Sequence, residues 1–152
     1  GVDLFGTSQK HQKNEIEPNF LKHQKFSNPL KNIYYNYILK ENLNSLESNK
    51  RLLRKYEKNI KLIAGDTNEV LKKIDLSSID FVFLDGGHSY TTVLNDLGVI
   101  YKSLRNKNTV ILCDDYGEES LIKEVKNAID DFTKTNNIKL SIIEKRFAEL
   151  II

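Results

Sequence analysis

The hydrophobic pattern changes period along the chain. Residues 60–64 (IKLIA), 79–84 (IDFVFL) and 109–113 (TVILC) are near-continuous apolar runs, short enough to be strands, and each stops at an acid or a glycine followed by an acid. Between them the apolar residues recur at helical spacing. Val93, Leu94, Leu97, Ile100, Tyr101 and Leu104 predict a helix over 91–104. Leu121, Ile122, Val125, Ile129 and Phe132 predict another over 118–134. Thr67 can cap a short helix over 67–74. Residues 138–143 and 147–152 read as two further strands with only a few residues between them. A parallel return needs a crossover, so this last pair is expected to be an antiparallel hairpin.

Upstream the signal is weaker. Residues 2–5 read as a short apolar strand with Asp3 inside it. Residues 6–29 are polar, broken by Pro18 and Pro29, and read as a loop or irregular insertion with a helical turn near 20–25. Residues 30–39 carry Leu30, Ile33, Tyr34, Tyr37 and Ile38 at helical spacing, and 43–56 continue with Leu46, Leu52, Leu53 and Tyr56. Strands alternating with helices, apolar through the middle strands, predict an α/β fold: a doubly wound, mostly parallel sheet covered by helices on both faces. The expected organisation is a single domain over 1–152, with 6–59 as an insertion and helices.

Composition narrows the classes without naming one. A chain of 152 residues with 39% hydrophobic and 29% charged residues suits one soluble domain with a real core. A net charge of +2 with interspersed signs gives no footprint for nucleic acid. No apolar run approaches the roughly 20 residues of a membrane span, and no secretory leader is visible. The single Cys113 sits in an apolar run and reads as a small buried hydrophobe in a reducing, cytoplasmic compartment.

The chemistry collects at strand ends, where open parallel sheets bind their ligands. Asp3, Asp66, Asp85 and the pair Asp114–Asp115 all fall there. Any one is also an ordinary turn or cap residue; their recurrence at equivalent places is the signal. In Asp85-Gly86-Gly87-His88 the glycines allow a tight turn with positive φ and a close backbone approach. Asp85 and His88 can then face one cleft, where histidine can accept a proton near neutral pH. The adjacent Asp114 and Asp115 repel and need a cation, donors or water. In a regular strand they would point to opposite faces, so the chain must turn there for both to serve one site. Neighbouring strands would bring Asp85 within about 5 Å of the later acids. Such a set could hold magnesium, which polarises a hydroxyl while His88 takes its proton.

The stretch Phe83-Leu84-Asp85-Gly86-Gly87-His88-Ser89-Tyr90, then Asp96-Leu97, then Val110 to Tyr116 (VILCDDY), resembles the class I S-adenosylmethionine-dependent methyltransferases. It is similar in particular to small-molecule methyltransferases with a D-G-x-H-x-Y motif and to metal-dependent sugar O-methyltransferases. The resemblance covers 2–5 and 60–152, and implies a Rossmann-like sheet. It implies that Asp3 binds the ribose hydroxyls of S-adenosylmethionine, and that Asp66, with Thr67 beside it, lies near the adenine. Asp85 would be a metal-binding, substrate-side or cofactor-side acid. His88 would be the general base, and Asp85, Asp114 and Asp115 the metal ligands, with Mg2+ as a second cofactor. The family's first strand and glycine-rich loop have no counterpart here, so the chain reads as N-terminally incomplete.

The expected reaction is O-methylation of a small hydroxylated metabolite or sugar. Two alternatives stand beside it: a metal-dependent hydrolase using Asp85, His88, Asp114 and Asp115, and a non-catalytic α/β fragment. The expected partner is a small-molecule acceptor, with no nucleic acid and no membrane. The sheet edge left by the missing strand favours a homo-oligomer.

Overall fold

The computed structural model describes residues 1–3, 5, 27–38, 43, 45–104, 108–117 and 123–152. The described chain forms two compact units, one reaching Asp66 and the other running Thr67–Ile152. The predicted loop over 6–29, apart from its last residues, lies outside the described residues, as do the N-terminal residues of the helix expected over 118–134.

In the first unit, strand β1 (Val2–Asp3) pairs in parallel with β2 (Ile63–Ala64), Val2 opposite Ile63 and Asp3 opposite Ala64. The strand expected over 60–64 is thus shortened to the residues that find a ladder partner. Helix α1 (Pro29–Ile33) starts where Asn28 Oδ1 accepts from the Leu30 amide at 2.9 Å, with the proline in the first turn where no amide is needed. It passes into a π-helical turn over Tyr34–Ile38. Ser45 Oγ caps α2 (Leu46–Leu52) by accepting from the Ser48 amide at 3.1 Å, and a 3-10 turn follows at Arg54–Tyr56. The apolar positions that predicted these helices do not form a core: Leu30 is 76% exposed, and Tyr37, Ile38 and Leu52 are exposed too.

The second unit carries the mixed sheet. Helix α3 (Thr67–Val70) tightens into a 3-10 turn at Leu71–Lys73. Strand β3 (Phe81–Leu84), helix α4 (Tyr90–Leu104), strand β4 (Val110–Cys113), helix α5 (Lys123–Asn136) and strands β5 (Lys139–Ile143) and β6 (Phe147–Ile151) follow. The strand order is β3-β4-β6-β5. β3 and β4 are parallel, with Leu84 opposite Cys113. β6 runs antiparallel to both β4 and β5, so the expected C-terminal hairpin is present.

Alternation along the strands sends Ile111, Cys113, Ala148 and Leu150 to one face, where all are buried. Val93, Leu97, Ile100 and Leu104 of α4 and Val125, Ala128, Ile129 and Phe132 of α5 are buried with them. The Tyr101 and Phe132 rings meet edge-on at 5.7 Å. Each fully buried aliphatic side chain contributes about 1.5–3 kcal/mol. The opposite face leaves Phe81 56%, Phe83 50% and Ile151 49% exposed. The expectation of helices on both faces is therefore met on one face only among the described residues of this unit. No helix among the described residues is long and apolar enough to cross a membrane.

Candidate active site

The parallel pairing of β3 with β4 determines what meets what. With Leu84 opposite Cys113, the two strands deliver Asp85 and Asp114 side by side, and the Asp114 amide still donates to the Leu84 carbonyl at 3.0 Å. Beyond Asp114 the chain does turn, as both acids serving one site required: Asp115 adopts φ 57°, in the left-handed region. Its amide donates to Asp114 Oδ1 at 2.7 Å. Asp115 Oδ2 then lies 3.2 Å from His88 Nε2, so the histidine of the β3 exit and the second acid of the β4 exit form a pair. Asp85, Gly86, Gly87, His88, Asp114 and Asp115 line one hollow, floored by Cys113 and side chains of α4 and α5.

The glycines act differently from expectation. Gly65 is the described glycine with positive φ, whereas Gly86 and Gly87 do not adopt it. A Cβ on Gly86 would stand 3.6 Å from Asp96 Oδ2, an ordinary contact. What lies beneath this loop is Asp96, a fully buried acid of α4 that the sequence pattern had left without a role.

The sequence reading also missed Arg146. Its Nε donates to Asp114 Oδ1 and its Nη2 to Asp114 Oδ2, both at 2.6 Å, a two-pronged fork on a carboxylate that is only 7% exposed. Local geometry aims this side chain. Glu144 and Lys145, at φ 49° and 55°, turn the β5–β6 hairpin, and the Arg146 amide donates back to the Ile143 carbonyl at 3.1 Å. The register pairs Ile143 with Phe147, so Arg146 is the third residue of the turn that joins the two strands. Its carbonyl accepts from the Tyr116 amide at 2.9 Å, and its guanidinium lies over the Phe147 ring at 5.2 Å. Gly117 lets the hairpin come this close: a Cβ there would collide with the Lys145 carbonyl oxygen and stand 3.3 Å from Arg146 Cα.

The charges respond to this arrangement. The Arg146 fork holds the Asp114 carboxyl below the ordinary carboxylate value, against the opposing effect of burial. Asp85 goes the other way. Partial burial raises it, the charges of Asp114 and Asp115 add to that, and His88 and Arg146 offset part of it. Burial pushes the Cys113 thiol up to about 12, so it stays a neutral apolar residue, as its place in the strand predicted.

A magnesium ion on Asp85, Asp114 and Asp115 does not fit this geometry. Both Asp114 oxygens are engaged by Arg146, and among the described residues no group of three or more His, Cys, Asp or Glu side chains is placed to share an ion. The hydrolase alternative needs the same cation and meets the same obstacle.

The first unit holds Asp3 and Asp66, and Thr67 opens the second. Asp3 and Asp66 lie at the carboxyl ends of the adjacent parallel strands β1 and β2, with the Gly65 amide donating to the Asp3 carbonyl at 3.0 Å. Asp3 Oδ1 also accepts from the Phe5 amide at 2.6 Å. A carboxylate accepts several bonds, so this turn contact leaves capacity for a ligand hydroxyl. Thr67 is the first residue of α3.

The sequence of the family described as "Methyltransferase domain" matches residues 9–116, well over half of the chain. The chain belongs to this methyltransferase family. The matched span includes Asp66, Thr67, Asp85, His88, Asp114 and Asp115, while Asp3 and Arg146 lie outside it. No curated protein matches the chain.

Proposed function

We propose that this methyltransferase uses S-adenosylmethionine to methylate a hydroxyl of a small metabolite or sugar, with His88 as the general base. The observation that carries the reading is the 3.2 Å approach of His88 Nε2 to Asp115 Oδ2 on the rim of a hollow that also presents Asp85.

Asp3 and Asp66 would hold the nucleoside, Asp3 through the ribose hydroxyls and Asp66 with Thr67 near the adenine. Their acceptor oxygens suit those groups, because carboxylates accept from hydroxyls and from an exocyclic amine. S-adenosylmethionine supplies, when bound, a methyl group on a sulfonium. The remaining work falls to the chain's own side chains. The acceptor hydroxyl takes the place of the Asp115 carboxylate at His88 Nε2, and its proton passes to that nitrogen. Asp115, displaced but adjacent, balances the imidazolium. Asp85 faces the same hollow and can accept a second acceptor hydroxyl, fixing the orientation of the first. Holding the acceptor in line supplies much of the rate in a two-substrate transfer.

The test is calorimetric titration of the full chain with S-adenosylhomocysteine, followed by a screen of hydroxylated acceptors with S-adenosylmethionine. Saturable binding is expected, weakened roughly tenfold or more in Asp66→Asn through loss of a charge-assisted hydrogen bond. A folded chain that gives no binding heat would sink the reading.

A further inference from the structure

We propose that Arg146 is a positioning residue that stands in the place of a divalent cation at the acid rim, so that this methyltransferase site works without metal. The inference rests on the methyl-transfer reading of the rim. Its central residue, Arg146, lies outside the span that matches the family.

Three carboxylates, Asp85, Asp114 and Asp115, converge on one hollow. Like charges so placed require a counter-charge, and the structure supplies one in a fixed position. Arg146 engages both oxygens of Asp114 at 2.6 Å. A metal ligand must offer an oxygen lone pair to the ion. The fork occupies a lone pair on each oxygen of Asp114, the most buried of the three acids, and its positive charge repels an incoming cation. A guanidinium keeps its charge at every working pH and matches a carboxylate with two parallel bonds.

The backbone is shaped to hold it there. Arg146 is the last residue of the β5–β6 turn, its carbonyl is anchored by the Tyr116 amide, and its guanidinium rests on Phe147. Gly117 removes the Cβ that would push the turn away. These contacts join the hairpin to the exit of β4, the segment that carries Asp114 and Asp115. Arg146 thereby orients Asp114 directly and, through the Asp115 amide on Asp114 Oδ1, the acid that meets His88.

The test is Mn2+ binding followed by electron paramagnetic resonance, which needs neither cofactor nor acceptor and so fails or succeeds independently of the methyl-transfer reading. The wild-type chain is expected to leave Mn2+ free in solution. Arg146→Gln, shown to be folded by circular dichroism, is expected to bind it at least about tenfold more tightly than the wild type, since Asp114 is freed to act beside Asp85 and the neighbouring positive charge is gone. Adding Asp85→Asn to that variant should abolish the gain. Arg146→Lys keeps a charge but frees one Asp114 oxygen; it is expected to gain less, and it carries the test if the glutamine variant does not fold. Stoichiometric Mn2+ binding by the wild type would overturn the proposal, and so would a folded variant of either kind that gains nothing.

Discussion

His88 Nε2 and Asp115 Oδ2 meet at 3.2 Å across the exits of two neighbouring parallel strands. The contact exists because the chain enters the left-handed region at Asp115; an extended residue there would carry the carboxylate to the other face of the sheet. A histidine and an acid so joined are a proton-handling pair, and methyl transfer to a hydroxyl requires one proton to leave.

Replacing His88 with alanine should lower kcat by roughly 10²–10⁴-fold, the usual contribution of a general base, while leaving S-adenosylhomocysteine affinity unchanged. Asp115→Asn should fall between the wild type and His88→Ala, because it weakens the charge balance without removing the base. Steady-state kinetics beside calorimetry separates the two effects. A loss of cofactor affinity equal to the loss of turnover would assign His88 to binding instead.

Gly117→Ala should destabilise the second unit by about 1–3 kcal/mol, the range for forcing atoms into a filled space. The obstacle is the backbone of Lys145 and Arg146, which cannot rotate aside as a side-chain tip would. Thermal unfolding measures the loss. A variant with wild-type stability would show that the hairpin can withdraw from β4 at no cost.

Much of the second unit was legible in the sequence. The apolar runs that became β3 and β4 carry no polar residue in their centres, and Val93, Leu97, Ile100 and Leu104 fall on one helical stripe. The spacing of the last two strands forced an antiparallel pairing. The acids at the strand ends were visible too, as was the need for a turn between Asp114 and Asp115. Arg146 was not. It belongs to a Glu-Lys-Arg turn that looks like any solvated loop, and its meaning depends on left-handed turn angles that no periodicity encodes. The one available hint was electrostatic: adjacent, partly buried acids demand a counter-charge, and a metal was assigned where a guanidinium stands. In the first unit the stripe from Leu30 to Ile38 misled for the opposite reason. Its spacing is helical, yet helical spacing says which residues share a face and not whether anything covers it.

Acid sensitivity should change when the fork is cut. The Asp114 carboxyl lies below its ordinary value of 3.8 because of Arg146. A depressed carboxylate contributes stability that is fully present above that ordinary value and is lost as pH falls through the folded one. In Arg146→Gln this contribution disappears, so the variant should melt lower than the wild type near neutral pH. The gap should close as pH drops below the carboxylate range. Melting curves from pH 2 to 7 test it; a gap that widened toward acid would contradict the assignment.

Asp85 should show the reverse sign. Its carboxyl is raised, so the folded state binds a proton more readily than the unfolded chain does. That favours folding below the ordinary value and turns into a cost as pH rises through the raised one. Asp85→Asn should therefore stabilise the protein at neutral pH while impairing turnover. The gain should stay under about 1 kcal/mol, since the side chain is solvent-exposed and its charge is screened. Urea unfolding at pH 7 and near pH 3 would reveal the effect at the first pH and not at the second.

The hairpin turn itself stores strain that can be removed without touching the fork. Glu144 and Lys145 both occupy the left-handed region, which costs an L-residue with a side chain roughly 1–2 kcal/mol each. Asn-Gly is the pair that two-residue turns of this hand favour. The double change Glu144→Asn and Lys145→Gly should raise stability by about 1 kcal/mol or more. Neither side chain takes part in the contacts to Asp114, so Mn2+ should remain excluded. If the change instead admitted Mn2+, the turn side chains would share the work assigned to Arg146 alone. If it destabilised the protein, the left-handed angles would not be the strained feature of the turn.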